Sequence, residues 1–212
     1  MAMSGELITV AREADAEFTE KRSVFIGHVR SVASAEEAES YIASVKKKYA
    51  DARHNVWAYL LRSGAMRYSD DGEPQGTGGI PVLEVLKKSG IADAVIVVTR
   101  YFGGILLGAG GLSRAYSKAA VMVIEEAGTV KFTPFTECLI VCDYGEYRKL
   151  LYEIEKFDII IENTVFENDV KIYFSVCMEE TERLSSAVCA QTNAKRSVEI
   201  LGEKLAVSGK HA

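Results

Sequence analysis

The stretch ADAVIVVTRYFGGILLGAGGLSRAYSKAA, residues 92–120, holds the features that decide the fold of the first half of the chain. It begins with an apolar run rich in β-branched residues, typical of a strand buried on both faces. Five glycines then fall within nine positions, 103–111, before a helical pattern. Because each glycine costs backbone entropy on folding, so many together indicate a close approach to the backbone. Either another element of the protein or a ligand could make that approach.

The segments before this stretch mix strands and helices. Apolar and polar residues partly alternate over 22–32, which predicts a strand. A second strand is predicted over 54–62. Ser34 and Glu37 form a capping-box pattern ahead of a helix that ends with Lys46–Lys48. Residues 63–79 form a turn-rich excursion, and 80–90 a short helix closed by Gly90. The helix after the glycines is expected from Leu112 to near Gly128.

The second half has a different element order. Strand and helix patterns follow one another as β-α-β-β-α-β, with the two central strands meeting at Asn168-Asp169. This order is that of ferredoxin-like folds. We therefore predict two α+β domains, at 1–130 and 137–205, joined by a linker at 131–136 and followed by a flexible tail at 206–212.

The composition of the chain excludes several classes of protein. Of the 212 residues nearly half are apolar, and the formal charge is −5. Up to Val130 there are 15 basic and 16 acidic residues, and after it 10 and 14, so neither half is a generic polyanion binder. No apolar run reaches the roughly 18 residues of a spanning helix, and the start lacks a signal-peptide pattern. The four cysteines share no metal-ligand spacing, which favours a cytoplasmic protein with reduced thiols.

The glycine turn suits an anion, because a glycine-rich strand-to-helix turn directs backbone N–H groups at one point. The known nucleotide patterns fail: Ala109 and Gly110 stand where a phosphate loop needs Lys and Ser/Thr. Arg114 and Lys118 share a helical face at i, i+4 spacing. The candidate anion or nucleic-acid site is Arg100, Tyr101, Phe102, Gly103, Gly104, Gly108, Gly110, Gly111, Arg114 and Lys118. The alternative is that the aromatic residues are core and the cations line a solvated face.

Asp70, Asp71 and Glu73 place three carboxylates within four residues. Such a cluster could hold Mg²⁺, although Asp, Gly and Pro74 are equally typical of a tight turn. No cofactor or metal is otherwise expected. No catalytic residues are assigned, since no nucleophile, base and orienting group occur together and GLSRA lacks the second glycine of a nucleophile elbow.

Three blocks resemble the IMPACT family, in its bacterial YigZ type: ARHNVWAYLL, YSDDGEPQGTGGIPVLEVL and VIVVTRYFGGILLGAGGLSRAYSKAA. The resemblance implies a first domain like ribosomal protein S5 domain 2 and a ferredoxin-like second domain similar to domain V of elongation factor G. It also implies family roles for the supporting loop His54, Asp70, Asp71, Glu73, Pro74 and Thr77. Val56 stands where many members have cysteine, which argues against a catalytic thiol.

Eukaryotic IMPACT proteins regulate translation through a protein partner bound by an RWD domain that this sequence lacks. The resemblance therefore favours a non-enzymatic protein that binds RNA or a ribosomal surface, with a translation-regulatory protein as a second kind of partner and no membrane. In this hypothesis Arg100 and Lys118 meet phosphates, and the carboxylate turn orders the loop, pairing with Arg100. The alternative is a phosphate-binding enzyme, kinase-like or a hydrolase, with Mg²⁺ on Asp70, Asp71 and Glu73. A third interpretation gives the glycines a packing role only.

Overall fold

The computed structural model describes residues 5–208 and divides into two units. Residues 7–130 form the first unit, and residues 5–6 and 131–208 belong to the second. The elements up to residue 127 are β1 (Leu7–Val10), β2 (Ala14–Glu20), β3 (Ser23–Ser31), α1 (Ala35–Lys48), β4 (His54–Leu60), β5 (Met66–Ser69), α2 (Gly79–Lys88), β6 (Ala94–Tyr101) and α3 (Ala109–Ala127). Those that follow are β7 (Thr129–Cys142), α4 (Tyr144–Ile154), β8 (Ile159–Phe166), β9 (Val170–Cys177), α5 (Thr181–Gln191) and β10 (Glu199–Ala206).

The first unit is built around β6. Its five-stranded antiparallel sheet has the order β2-β3-β6-β4-β5, so β6 is the central strand. Ile96 and Val98 join the core that contains α2 and α3, whereas Val95 and Val97 join the core that contains α1. Helices thus cover both faces of the sheet, and this is why residues 94–98 of β6 are all apolar rather than alternating. The predicted α+β fold like ribosomal protein S5 domain 2 is confirmed.

The helix ends follow the sequence signals. Ser34 is the N-cap of α1, and its hydroxyl accepts from the backbone N–H of Glu37 at 3.2 Å. Beyond α2, Gly90 has φ +65°, and the N–H groups of Gly90 and Ile91 reach back to the carbonyls of Lys87 and Leu86. This is the Schellman arrangement that a glycine after a helix predicts. Helix α3 begins at Ala109, three residues before the predicted start, because two glycines form part of its first turn.

Strands β1, β2 and β5 carried too weak a pattern for prediction. β2 lies at the edge of the sheet, and its charged side chains are exposed, so few apolar residues mark it. β5 is the opposite edge and falls inside the region interpreted as turns. Edge strands bury only part of one face, so hydrophobic alternation is weakest there.

The second unit is ferredoxin-like, as predicted. Its strands lie in the order β8-β9-β7-β10, all antiparallel, and α4 and α5 contribute Leu150, Ile154, Leu184 and Val188 to its core. Residues 131–136, expected as a linker, instead form part of strand β7 and pair with β9 and β10. The tail expected at 206–212 lies mainly outside the described residues.

His28 of β3 should make the stability of the first unit dependent on pH. Its ring contacts Asp15 Oδ1 at 2.6 Å and Thr99 Oγ1 at 3.3 Å. Burial lowers the pKa of His28 below 6.5, aided by nearby Lys48 and opposed by Asp15 and Glu13. Because the unfolded chain binds this proton more readily, the free energy of unfolding should fall as the pH drops from about 6.5 toward the lowered value, by at most about 1.4 kcal/mol per pH unit. Urea denaturation at several pH values measures how the free energy of unfolding changes with pH. This change should be absent in His28→Gln. An equal slope in both proteins would contradict the assignment.

Candidate functional site

The glycine segment is held by another element of the same protein. A Cβ added to Gly103 would lie 2.0 Å from the carbonyl carbon of Arg22, in the turn between β2 and β3. The Gly103 N–H also donates to Ser23 Oγ at 3.2 Å. Gly103 therefore serves a backbone-to-backbone contact, which corrects the expectation that it admits a ligand. Gly104 and Gly108 have φ of +83° and +71° with open space around them, so their role is conformational.

Arg100 is buried and paired. Its Nη1 lies 2.6 Å from Glu73 Oε1, with side-chain exposures of 6% and 3%. The guanidinium carbon also lies over the rings of Phe25 and Phe102, 5.4 and 5.5 Å from their centres. The carboxylate turn thus pairs with Arg100, as the sequence suggested. Arg100 is held inside the protein by Glu73 instead of being an exposed cation that meets phosphates, which corrects that part of the expectation.

Glu73 has a second donor in Tyr116 of α3. The phenol oxygen lies 2.8 Å from Glu73 Oε1. Burial raises the pKa of Tyr116 well above its ordinary value, and the negative charge of Glu73 adds to the effect. The phenol therefore remains protonated and donates to the carboxylate. Arg100, Glu73 and Tyr116 form one buried network that ties β6, the carboxylate turn and α3 together.

The other two carboxylates are engaged elsewhere. Asp70 accepts from the N–H groups of Gly76, Gly78 and Gly79 at 2.8–2.9 Å, so it caps the start of α2. Burial opposes ionisation of Asp70, but these three hydrogen bonds outweigh it and hold its pKa below the ordinary value. Asp71 accepts from Lys46 Nζ at 2.5 Å and from the Asn55 N–H at 2.7 Å.

The carboxylate turn is therefore a structural device. Asp70, Asp71 and Glu73 face three different sets of donors rather than a shared point, and within residues 5–208 no metal-ligand group of three acidic, His or Cys side chains occurs. Pro74 contributes its carbonyl, which accepts from both the N–H and the hydroxyl of buried Thr77. His54 completes the turn, since its Nδ1 lies 2.9 Å from the carbonyl oxygen of Asp71 and donates to it.

A pocket of about 370 Å³ opens above the buried network. We call it the Arg100 pocket. It is lined by Arg53, His54, Glu73, Arg100, Phe102 and Leu106, and by Gly108 and Ala109 at the start of α3. The second nitrogen of His54, Nε2, lies 3.9 Å from Glu73 Oε1. Phe102 and Leu106 are 42% and 83% exposed, so the rim is apolar while the floor is charged.

A second cavity, of about 270 Å³, lies beside α3. We call it the cation groove; its lining includes Phe18, Glu20, Lys21, Gly111, Arg114 and Lys118. Lys118 Nζ sits 4.4 Å from the centre of the Phe18 ring. Within residues 5–208, Lys21, Arg114 and Lys118 form no ion pair. Their charges are therefore available to a partner.

The structure thus divides the predicted site in two. Arg114 and Lys118 lie in the cation groove, whereas Arg100 and Phe102 lie in the Arg100 pocket, which corrects the expectation of a single cluster. Tyr101 belongs to neither, because its hydroxyl donates to Asp51 at 2.9 Å. Gly110 is exposed near the Arg114 guanidinium, and Gly111 lies against Leu107.

The site residues that sequence reasoning missed include Phe18, Lys21 and Arg53. Phe18 and Lys21 belong to β2 and its turn, which had no clear strand signal, and only the tertiary fold brings them to α3. Arg53 immediately precedes His54, and this adjacency was the one available clue.

Comparison with known proteins covers both units. The Impact N-terminal domain matches residues 21–124, and a domain of unknown function (DUF1949) matches residues 140–195. The chain is 35% identical to "IMPACT family member YvyE" of Bacillus subtilis, over 90% of this chain and 88% of that protein. It is 39% identical to "IMPACT family member YigZ" of Escherichia coli, over 59% of this chain and 64% of that protein. A crystal structure described as that of a hypothetical protein superposes with a TM-score of 0.60 at 27% identity, covering 94% of this chain and 98% of that one.

In the described part of the chain, none of the helices is both long enough and apolar enough to cross a membrane.

Proposed function

Because the chain belongs to the IMPACT family, we propose that it is a non-enzymatic protein that binds structured RNA or a ribosomal surface and acts in translation or its regulation. Eukaryotic members of the family are known as translation regulators. We place the protein in the cytoplasm, where ribosomes are, and a translation-regulatory protein is a second candidate partner.

The cation groove is the observation that carries this proposal. Lys21, Arg114 and Lys118 bring three cations to one cavity beside the half-buried ring of Phe18. Cations beside an aromatic ring suit a nucleic-acid backbone with a base stacked nearby. Glu20 in the same groove and the net charge of −5 oppose non-specific binding. Affinity should therefore be limited to particular RNA structures and should depend on salt.

Replacing both Arg114 and Lys118 by alanine should weaken binding to ribosomal RNA. Each lost phosphate contact lowers the slope of log K against log salt by about 1, so the double variant should show a slope reduced by about 2. Filter binding at several salt concentrations measures both quantities. The matched control is Lys87→Ala/Lys88→Ala, which removes the same charge from the exposed last turn of α2.

Unchanged affinity and slope in the Arg114→Ala/Lys118→Ala variant would remove the cation groove from the proposal. Equal losses in the groove variant and the α2 control would show that only net charge matters, and would contradict a defined site.

A further inference from the structure

We propose that the Arg100 pocket binds one nucleoside monophosphate unit, with its phosphate at the start of α3 and its base against Phe102. The unit could come from a free nucleotide or from the 5′-phosphorylated end of an RNA strand. This inference does not depend on the cation groove, because the two cavities contain different charged side chains.

The first support is an uncapped helix end inside the pocket. Helix α3 has 19 residues, its N-cap Gly108 has no side chain to accept from the first turn, and no acidic residue lies in that turn. The N–H groups of a helix's first turn have no intrahelical partner and attract negative charge. Gly108 and Ala109 both line the pocket, so this helix end faces the cavity.

The second support is independent of the helix. Within residues 5–208, Arg100 Nε is the one buried side-chain nitrogen or oxygen without a hydrogen-bond partner. Arg100 is 5% exposed and lines the same pocket. Glu73 and Ser23 accept from its other two nitrogens, so Nε is the one nitrogen of this guanidinium that no protein acceptor satisfies. An orphaned buried donor carries a desolvation cost that an acceptor-rich ligand would remove.

The charges of the pocket favour an anion. Arg100 and Glu73 neutralise each other at 2.6 Å, whereas Arg53 is exposed and forms no ion pair with another residue in 5–208. The pocket therefore has a net positive charge even with His54 neutral. Besides Arg100 Nε, its donors are backbone N–H groups of α3 and Arg53, the combination that binds phosphate at helix ends elsewhere.

The rim identifies the rest of the ligand. Phe102 and Leu106 expose apolar surface at the mouth, and the Arg100 guanidinium lies over one face of the Phe102 ring. A planar base can stack on the remaining face of this ring. The volume of about 370 Å³ falls within the range of about 300–1,000 Å³ typical of small-ligand sites. Inorganic phosphate alone would leave the apolar rim uncovered.

The test is calorimetric titration of the full chain with AMP, GMP, CMP and UMP, with the matching nucleosides, with inorganic phosphate, and with an RNA oligonucleotide bearing either a 5′-phosphate or a 5′-hydroxyl. We expect saturable binding of at least one monophosphate, weaker by about tenfold or more for its nucleoside. Phosphate alone should also bind more weakly. Binding of mononucleotides identifies a free ligand, and binding of the 5′-phosphorylated RNA alone identifies a strand end.

Arg53→Ala should weaken this binding by about tenfold or more, because it removes an exposed charged donor without disturbing the core. Lys88→Ala is the matched control and should bind as the unchanged protein does. The Arg114→Ala/Lys118→Ala variant should keep nucleotide binding, so failure of the groove and failure of the pocket are distinguishable. Absence of binding by every monophosphate and by the 5′-phosphorylated RNA, or equal affinity in Arg53→Ala, would overturn the proposal.

Discussion

Replacing Gly103 by alanine is expected to lower the free energy of unfolding by about 3 kcal/mol or more, the upper end of the effects of overpacking. The new Cβ would lie 2.0 Å from a backbone carbon of Arg22 and 2.5 Å from the backbone nitrogen of Ser23. A flexible side chain could move aside, but here the obstacle is main chain. The turn between β2 and β3 would have to separate from the glycine segment and would lose the hydrogen bond to Ser23.

Urea denaturation of purified variants measures this effect, and two glycines provide graded controls. Gly104→Ala has open space but a φ of +83°, so it should cost about 1–2 kcal/mol. Gly145→Ala in α4 has open space and a helical backbone, so it should be neutral or stabilising by up to about 1 kcal/mol. If Gly103→Ala unfolds at the same urea concentration as Gly104→Ala, the close contact with Arg22 is not a constraint.

The second large effect is expected from Glu73→Gln. This substitution keeps the size of the side chain but leaves the buried guanidinium of Arg100 without its counter-charge. Removing one partner of a buried ion pair typically costs about 3–5 kcal/mol. Adding Arg100→Met removes the uncompensated charge, so the double variant should be more stable than Glu73→Gln alone.

The control for these two variants is an exposed ion pair in the same unit. Arg67 and Glu39 lie 2.6 Å apart with side-chain exposures of 63% and 54%, so Glu39→Gln should cost less than about 1 kcal/mol. Thermal and urea denaturation of the four proteins provide the comparison. Similar losses for Glu73→Gln and Glu39→Gln would show that burial of the Arg100 pair does not contribute to stability.

The sequence predicted the elements that bury the most apolar surface. The apolar run of β6 and the capped helix α1 were recognisable because each signal is local and strong. The same holds for the order of elements in the second unit. Residues 131–136 were misassigned because the TPFT stretch has little strand character of its own, and pairing with two neighbouring strands decides its conformation.

The candidate site was predictable in its residue types but not in its arrangement. Arg100, Arg114 and Lys118 are near one another in sequence, and this suggested a single cluster. The direction of Arg100 depends on its position in the sheet, where it pairs with Phe25 on β3 and His54 on β4, and its side chain enters the core. Arg114 and Lys118 lie on the solvent face of α3. Only the tertiary structure shows that Arg100 enters the core while Arg114 and Lys118 face solvent.

The central position of β6 also bears on how the first unit forms. Hairpins β2–β3 and β4–β5 are local in sequence, but β3 and β4 reach their places only by pairing with β6, which is synthesised later. The long chain segments between the paired strands must close before the contacts with β6 stabilise them, and this entropic cost slows folding. Until residue 101 has left the ribosome, both hairpins present open edges to neighbouring chains. We therefore expect the newly made chain to be most prone to aggregate before β6 is available, since β6 covers both edges at once.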